Sequence, residues 1–456
     1  MNSSSLRLVR NDITVLTGKR SPTRWHNVLM KERAEAENEP AARVQELSES
    51  ENPGSYLKRT FQAFKYRDFR ILWSGAFTST TGNWMQVVAQ SWVVLEITGE
   101  AYYLGLISFL GQLPIILLTL VGGAFADRID RRKLLIFSQF VQMSVAFTLT
   151  LLLALDRINI WHFLVLAFVA GIGQAFGGPA YQALIPGLVA REHVANAIAL
   201  NSIQFNLARV VGPILAGAAF ASLGAIYCFG LNGLSFLAVI AALFFVRSSF
   251  VPPESKTSVL VQIKEGLQYV RDRGSLWQLT VLGFVSTFCG IPLITLLPVF
   301  ARDIFQLEAT GYSTLMAISG AGSITGALLY ATFSGVKNKG RLTLWVQVVF
   351  SILLCLFAVS RVLVLSSILL FFSGLCLIGL FASITSLVQL ATAEEIRGRV
   401  MSIFMLAFRA GMPLGDISGA YVASRVSPTA AVFGLGLILA IISGAFLISR
   451  SGVKEL

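Results

Sequence analysis

Three charged residues lie inside long apolar stretches, where their types and spacing could do chemistry. Arg209 falls in one stretch, and Arg409 and Asp416 fall in another. A charged side chain in the middle of a membrane costs at least about 2.5 to 3.5 kcal/mol on insertion scales, so each is a functional candidate. Burial and a nearby arginine have opposite effects on the proton affinity of a carboxyl group. The protonation of Asp416 could therefore respond to the side of the membrane that it faces, which makes it a proton-coupling candidate.

Each of these residues also has a plainer interpretation. Arg409 and Asp416 are seven residues apart, two turns along one helical face, so they could form a fixed ion pair. The two arginines could lie near the cytoplasmic ends of their helices, extend to the membrane surface, and serve gating or folding only. The sequence leaves both alternatives open.

A charged segment at residues 122–133 separates two apolar stretches. Because its charge density cannot lie in hydrocarbon, the segment marks a short connection between two membrane helices. Asp127 could pair with the positive end or basic residues of a neighbouring helix in one conformation and release them in another. Asp127 is therefore a gate residue and a second proton-coupling candidate. The predicted gate motif consists of Gly123, Asp127, Arg128, Arg131 and Arg132.

Polar side chains form a narrow stripe in the first apolar stretch, beside Trp84 and Trp92. The stripe could bond neighbouring helices or line a substrate cavity. We favour the cavity, because amides beside aromatic rings suit organic solutes that need orientation without strong charge. The cavity candidates are Asn83, Gln86, Gln90, Asn206, Arg209 and Arg409, and Gln112, Gln174, Gln182 and Gln204 could add to them. Gly212, Pro213 and Pro413 are the residues at which we expect helices to bend.

The composition excludes most other classes of protein. The chain has 456 residues, of which 55% are hydrophobic and 13% are charged, and its mean hydropathy is +0.71, as in a polytopic membrane protein. Four single cysteines and three scattered histidines form no metal-ligand or catalytic pattern, and no phosphate-binding loop indicates ATP hydrolysis. We therefore expect no catalytic residue, no metal and no cofactor.

The apolar stretches predict an all-α membrane protein with twelve transmembrane helices. Each stretch has about the 20 residues that a helix needs to cross roughly 30 Å of hydrocarbon. The predicted spans are 71–95, 102–125, 134–155, 160–185, 196–222, 226–246, 275–300, 312–334, 342–360, 364–390, 400–424 and 429–449.

The distribution of basic residues predicts the orientation. Lys and Arg concentrate in alternate connections, and only Arg157, Arg302, Arg361 and Arg425 fall in the others. Since basic loops stay in the cytoplasm, both termini are expected there, in a plasma (inner) membrane protein. We attribute the net charge of +12 to basic cytoplasmic loops that set the orientation and contact anionic lipids. No nucleic-acid partner is therefore expected. The expected partners are a small-molecule substrate, protons and membrane lipids, and the protein is expected to act as a monomer.

The two halves of the sequence contain matching segments, and this internal repeat predicts two pseudo-symmetric six-helix bundles. Leu95 to Gly99 match Leu307 to Gly311, and Ser202, Ile203, Arg209 and Pro213 match residues that lie 200 positions later. The predicted divisions are a disordered cytoplasmic arm at 1–56, bundles at 57–246 and 275–450, a linker with an amphipathic helix at 247–274, and a tail at 451–456. The linker helix could be regulatory or a plain connection.

Several segments carry a family resemblance. They are 82–86, 89–92, 95–99, 122–133, 179–186, 206–213 and 397–402. Together they resemble the exporter branch of the major facilitator superfamily that includes enterobactin and macrolide efflux proteins. One position departs, because Asp130 stands where the family's loop pattern has Gly. The resemblance covers about residues 57–450. It implies export by alternating access, usually by proton antiport, so that a proton gradient is the expected driving force. An importer or a flippase for lipid-like solutes on the same fold is the alternative, and a membrane enzyme or sensor lacks a supporting motif.

Overall fold

The computed structural model describes residues 61–126, 130–246, 259–332, 338–449 and 452–455. Asp127, Arg128 and the arm at 1–56 lie outside the described residues. The helices all belong to the unit Ala63–Leu456. The arm therefore remains a sequence prediction.

The first half of the chain forms six long helices. They are α1 (Arg67–Thr98), α2 (Ala101–Ala126), α3 (Arg131–Ala154), α4 (Ile160–Leu184), α5 (Val194–Ser222) and α6 (Ala225–Phe245). A shorter helix, α7 (Val259–Asp272), lies in the linker. Short 3-10 turns occupy Gln62–Lys65, Ile185–Leu188 and Arg191–His193.

The second half forms another six spans. The first of them consists of α8 (Gly274–Gly290), α9 (Pro292–Val299) and a π-helical turn at Phe300–Ile304. The others are α10 (Ala309–Thr332), α11 (Lys339–Val359), α12 (Leu363–Leu390), α13 (Arg397–Arg425) and α14 (Pro428–Ile448). In the part of the chain that the structure describes, this makes twelve long spans, and the prediction of twelve is confirmed.

Eleven of the spans found among the described residues are long and apolar enough to cross a membrane by length and composition. The exception is α1, because Ser, Thr, Asn and Gln residues interrupt its apolar positions. This helix packs against both α5 and α6. Neighbouring helices can therefore satisfy polar groups that lipid could not.

The two halves repeat one packing pattern. In the first half, α1 packs on α5, α2 on α4, and α3 on α6. In the second half, α8 packs on α13, α10 on α12, and α11 on α14. The pairs α2 with α13 and α5 with α10 join the halves. These contacts confirm the two pseudo-symmetric bundles.

The register of the predicted repeat, 200 positions, lies within one residue of the best-matched glycine contacts. A Cβ at Gly212 would lie 2.7 Å from the Thr81 carbonyl oxygen of α1, and one at Gly411, 199 positions later, would lie 2.6 Å from the Phe284 carbonyl oxygen of α8. The starts of α5 and α13 are 203 positions apart, but a helix start does not by itself define which residues correspond.

The other pair of matched segments is not equivalent in structure. Gly99 ends α1 with a left-handed φ of 70°, whereas Gly311 lies in the first turn of α10. The left-handed residue that follows the first span of the second half is instead Gln306, with φ 52°. The match between Leu95 to Gly99 and Leu307 to Gly311 is therefore one of letters and not of structure.

The linker helix and the chain end both pack on the second bundle. A Cβ at Gly266 of α7 would lie 3.0 Å from the Arg399 carbonyl oxygen of α13, and Val270 is buried. The last described turn, Gly452–Glu455, buries Val453 against Gly340 at the start of α11. Part of the predicted tail is thus held against the bundle.

Gly105 permits the close approach of α2 to α13. A Cβ there would lie 2.5 Å from both the Asp416 carbonyl oxygen and the Ala420 Cβ. We expect Gly105→Ala to lower the free energy of unfolding by about 1 to 3 kcal/mol, as overpacking does. The unfolding midpoint of the purified protein in detergent measures this change. Gly111→Ala on the same helix is the matched control, since its Cβ would meet only the Ala167 carbonyl oxygen, at 3.7 Å. Equal midpoints for the two variants would contradict the tight packing.

Candidate functional site

A cavity of about 610 Å³, here called the polar cavity, lies mainly within the first bundle. Helices α1 to α6 supply most of its wall, and α13 adds Met405 and Arg409 from the second bundle. Its other lining residues are Ala76, Ser79, Thr80, Asn83, Ile115, Leu135, Gln139, Gln142, Gln174, Gly177, Gly178, Pro179, Tyr181, Gln182, Phe205, Phe236 and Val239. This size lies within the roughly 300 to 1,000 Å³ of small-molecule sites.

Four of the cavity candidates from the sequence line the polar cavity. They are Asn83, Gln174, Gln182 and Arg409, and all four are exposed to solvent. Arg409 lies near the middle of α13, about 18 Å from its first residue at about 1.5 Å per residue. Its position therefore argues against the alternative of an arginine at the end of its helix.

Other candidates bond helices together instead. The Asn232 side-chain amide of α6 donates to Gln86 Oε1 at 2.7 Å, and Gln204 Nε2 of α5 donates to the Ala76 carbonyl oxygen at 3.1 Å. Gln204 Nε2 also donates to Thr80 Oγ1 at 2.9 Å. Asn206 donates to the Ser202 carbonyl oxygen within its own helix at 2.9 Å. Gln86 and Gln204 thus follow the alternative of helix-to-helix bonding, while Gln90 and Gln112 lie outside the polar cavity as described.

Arg209 lies apart from the polar cavity. Its guanidinium is 5.3 Å from the Trp84 ring centroid of α1, in a cation–π contact. Like Arg409, it lies near the middle of its helix, so it is not a surface residue at a helix end. The contact ties α5 to α1, next to the close approach at Gly212.

Five polar lining residues were missed from the sequence, and two of them are Ser79 and Thr80 of α1. Gln139 and Gln142 lie on α3, and Tyr181 lies on α4, where its hydroxyl donates to Asn201 Oδ1 at 2.8 Å. The available signal was the spacing of three between the two glutamines in an apolar helix, which puts both on one face.

The Asp416 carboxylate is buried, and two hydroxyl groups bind it. Ser108 Oγ of α2 donates to Oδ2 at 2.5 Å, and Thr295 Oγ1 of α9 donates to Oδ1 at 2.8 Å. No ion pair joins Asp416 to Arg409 or to any other charged residue in the described ranges. The fixed Arg409 pair considered from the sequence is thus absent, and the carboxylate instead connects α2, α9 and α13.

One end of the bundle, here called the closed end, holds the hydrogen bonds between the two bundles. Arg302, in the π-helical turn, donates through Nη1 to the Leu95 carbonyl oxygen at 2.9 Å and through Nη2 to the Gly99 carbonyl oxygen at 3.3 Å. These carbonyls lie at the negative end of the α1 dipole. The Tyr102 amide donates to Ser424 Oγ at 2.7 Å. All described hydrogen bonds between the bundles lie in this half of the molecule.

Aromatic contacts add to the closed end. Trp92 of α1 stacks on Tyr312 of α10, with ring centroids 6.1 Å apart, and Trp92 Nε1 donates to Glu96 Oε1 at 2.6 Å. Tyr102 meets the Tyr421 ring edge-on at 6.4 Å. The polar cavity lies in the opposite half, toward the first turns of α3 and α13 and the last turns of α4. The structure is therefore closed on one side of the cavity.

The described residues around the gate motif make their contacts within the first bundle. Asp130 caps α3 by accepting from the Arg132 amide at 2.9 Å, which gives a physical reason for Asp at the position where the family pattern has Gly. Arg131 Nη1 donates to the Ala183 carbonyl oxygen of α4 at 3.3 Å, and Arg132 lies 5.9 Å from the Phe244 ring. Gly123 lies in the last turn of α2, while Asp127 and Arg128 lie outside the described residues.

No group of metal-ligating side chains occurs within the ranges described above. The cysteines there are free thiols on separate helices. The site can therefore bind and orient a solute through amides, hydroxyls and one guanidinium.

The fold is that of major facilitator transporters. A bacterial homologue of the human lysosomal transporter Spinster, solved in an inward-facing and unoccupied conformation, superposes with a TM-score of 0.65 over 85% of this chain and 96% of that one, at 13% identity. The chain thus has the fold of these multi-pass membrane proteins.

The sequence comparison is more specific. The transmembrane secretion effector family matches residues 58–455, and the chain belongs to this family of the major facilitator superfamily. The multidrug efflux pump Tap of Mycolicibacterium fortuitum is 30% identical over 79% of this chain and 90% of its own. The staphyloferrin A transporter of Staphylococcus aureus is 27% identical over 76% and 87%. Macrolide efflux protein A of Streptococcus pyogenes is 24% identical over 79% and 92%. The resemblance stated from the sequence is confirmed.

The closed end depends on Arg302, so its removal should open that end. We expect Arg302→Gln to speed labelling of a Ser313→Cys thiol by a maleimide severalfold in purified protein whose native cysteines are replaced, because two inter-bundle hydrogen bonds are lost and Ser313, 1% exposed, faces α5 from α10. Arg361→Gln is the control, since Arg361 binds Thr429 within the second bundle at 3.3 Å. Equal labelling rates in both variants would show that Arg302 does not hold this end closed.

Proposed function

We propose that the protein is a secondary active transporter that exports a small organic molecule from the cytoplasm by alternating access. The observation that carries this proposal is a polar cavity on one side of a closed end that joins the two bundles. The efflux pumps among the relatives support the outward direction.

The orientation rests on charge. Arg131, Arg132, Lys133, Arg191 and Arg397 lie at the end toward which the polar cavity is displaced, whereas Arg157, Arg302, Arg361 and Arg425 lie at the other. The positive-inside rule then puts the cavity toward the cytoplasm and both termini inside, in the plasma (inner) membrane. In this orientation the structure is inward-facing, and the closed end is the outer one.

Proton antiport requires a group that links protonation to the closed end. Asp416 is suited to this role, because its carboxylate accepts hydrogen bonds from Ser108 of the first bundle and Thr295 of the second. A protonated carboxyl group gives up acceptor capacity and gains a donor. Protonation would therefore weaken the link between the bundles, and deprotonation would restore it.

The first test compares cells with and without the protein. We expect the protein to lower the retention of particular drugs or metabolites, and collapse of the proton gradient should abolish the difference. Counterflow in vesicles then gives the direction, because an importer or a lipid-like-solute flippase is the alternative. Retention that is the same in both strains would contradict export.

The second test addresses coupling. In everted vesicles, Asp416→Asn should reduce gradient-driven uptake of an exported solute about tenfold or more, while insertion is unchanged and solute exchange persists. Asp127→Asn should also reduce it, as the gate residue. Glu192→Gln removes an exposed carboxylate and is the control. Normal gradient-driven transport by both aspartate variants would exclude them from coupling.

A further inference from the structure

The charged lining of the polar cavity, in the described residues, is of positive sign alone. Arg409 is its single charged residue, and no carboxylate belongs to the lining formed by the described residues. Arg409 makes neither an ion pair nor a hydrogen bond with any side chain in those ranges. Its guanidinium is therefore free to bind a solute.

The position of Arg409 makes a missing counter-ion costly. The residue lies near the middle of α13, at membrane depth, where charged side chains normally pair with one another or with backbone carbonyls. Water can solvate the guanidinium while the cavity is open. When the bundles close around the cavity, an anionic group on the solute would replace that water with two parallel charge-assisted hydrogen bonds, the geometry that arginine and carboxylate groups favour.

The rest of the lining binds without charge. Gln139 lines the cavity and is 9% exposed, and its buried Oε1 has no partner among the described residues, so its amide is not committed to another helix. Gln174 and Gln182 add exposed amides, and Phe205 and Phe236 supply apolar surface, while the Gln142 amide nitrogen already donates to Ser138 of its own helix. Each amide can both donate and accept. The lining thus suits a body with an apolar or aromatic face and several hydroxyl or carbonyl groups.

We infer that the polar cavity takes an organic anion, with Arg409 binding its carboxylate and the amides of α3 and α4 binding its hydroxyl and carbonyl groups. This inference rests on the proposed transport function. Because Arg409 comes from the second bundle and the amides from the first, such a solute contacts both bundles at once. A cation of the same size would meet the guanidinium as a like charge, so the cavity selects against it.

The test uses two dyes with a shared xanthene ring system, anionic carboxyfluorescein and cationic rhodamine 123, together with untargeted mass spectrometry of retained metabolites. Cells carry the native protein, Arg409→Gln, Arg409→Lys or Arg361→Gln. The solutes whose export depends on the native protein should be carboxylates, and rhodamine retention should not change. Arg409→Gln should reduce that export about tenfold or more, as expected for loss of a hydrogen-bonded charge pair.

The variants separate binding from folding. Arg409→Lys keeps the charge without the planar fork and should retain part of the transport. Arg361→Gln should behave as native. Export of cations, or undiminished carboxylate export by a folded Arg409→Gln protein, would overturn the inference and leave the transport function standing. The absence of any protein-dependent solute would overturn both.

Discussion

The Asp416 carboxylate imposes the constraint on which the closed end depends. A buried carboxylate must be satisfied without water, and here hydroxyl groups from α2 and α9 provide its partners. Gly105 lets α2 approach the backbone at that same residue. The contact between the bundles is therefore both polar and tightly packed at one point. A change at the carboxylate cannot be absorbed locally, because no flexible side chain separates the two helices there.

The two bundles share their packing but not their polar groups. Gln139 of α3 and Gln347 of α11 each follow a basic residue and an apolar segment by the same spacing, Lys133 to Gln139 and Arg341 to Gln347. Gln139 faces the polar cavity, whereas Gln347 is fully buried, and neither end of its amide has a partner among the described residues. The cavity thus belongs mainly to the first bundle, although the helix framework is symmetric.

Much of the fold could be predicted from the sequence, since hydrocarbon thickness and apolar run length determine where spans begin and end. The functional site was harder to predict, because the packing of the helices, which the sequence does not show, determines which side chains come into contact. Arg209 and Arg409 were matched at a spacing of 200, yet Arg209 contacts Trp84 of α1 while Arg409 reaches the cavity. Matching letters in the two halves therefore did not predict which partner each arginine finds.

The asymmetry has a mechanical consequence. A solute that touched only the first bundle would move with it and would favour neither conformation, because a ligand shifts an equilibrium only by its differential affinity for the two states. Arg409 and Met405 are the elements of the second bundle in the polar cavity. Any solute that engages Arg409 while also binding Asn83 or Gln139 experiences the relative motion of the bundles directly. Occupancy of the cavity can then favour closure on the cavity side. In an alternating-access cycle, that closure weakens the Arg302 and Asp416 contacts between the bundles at the other end.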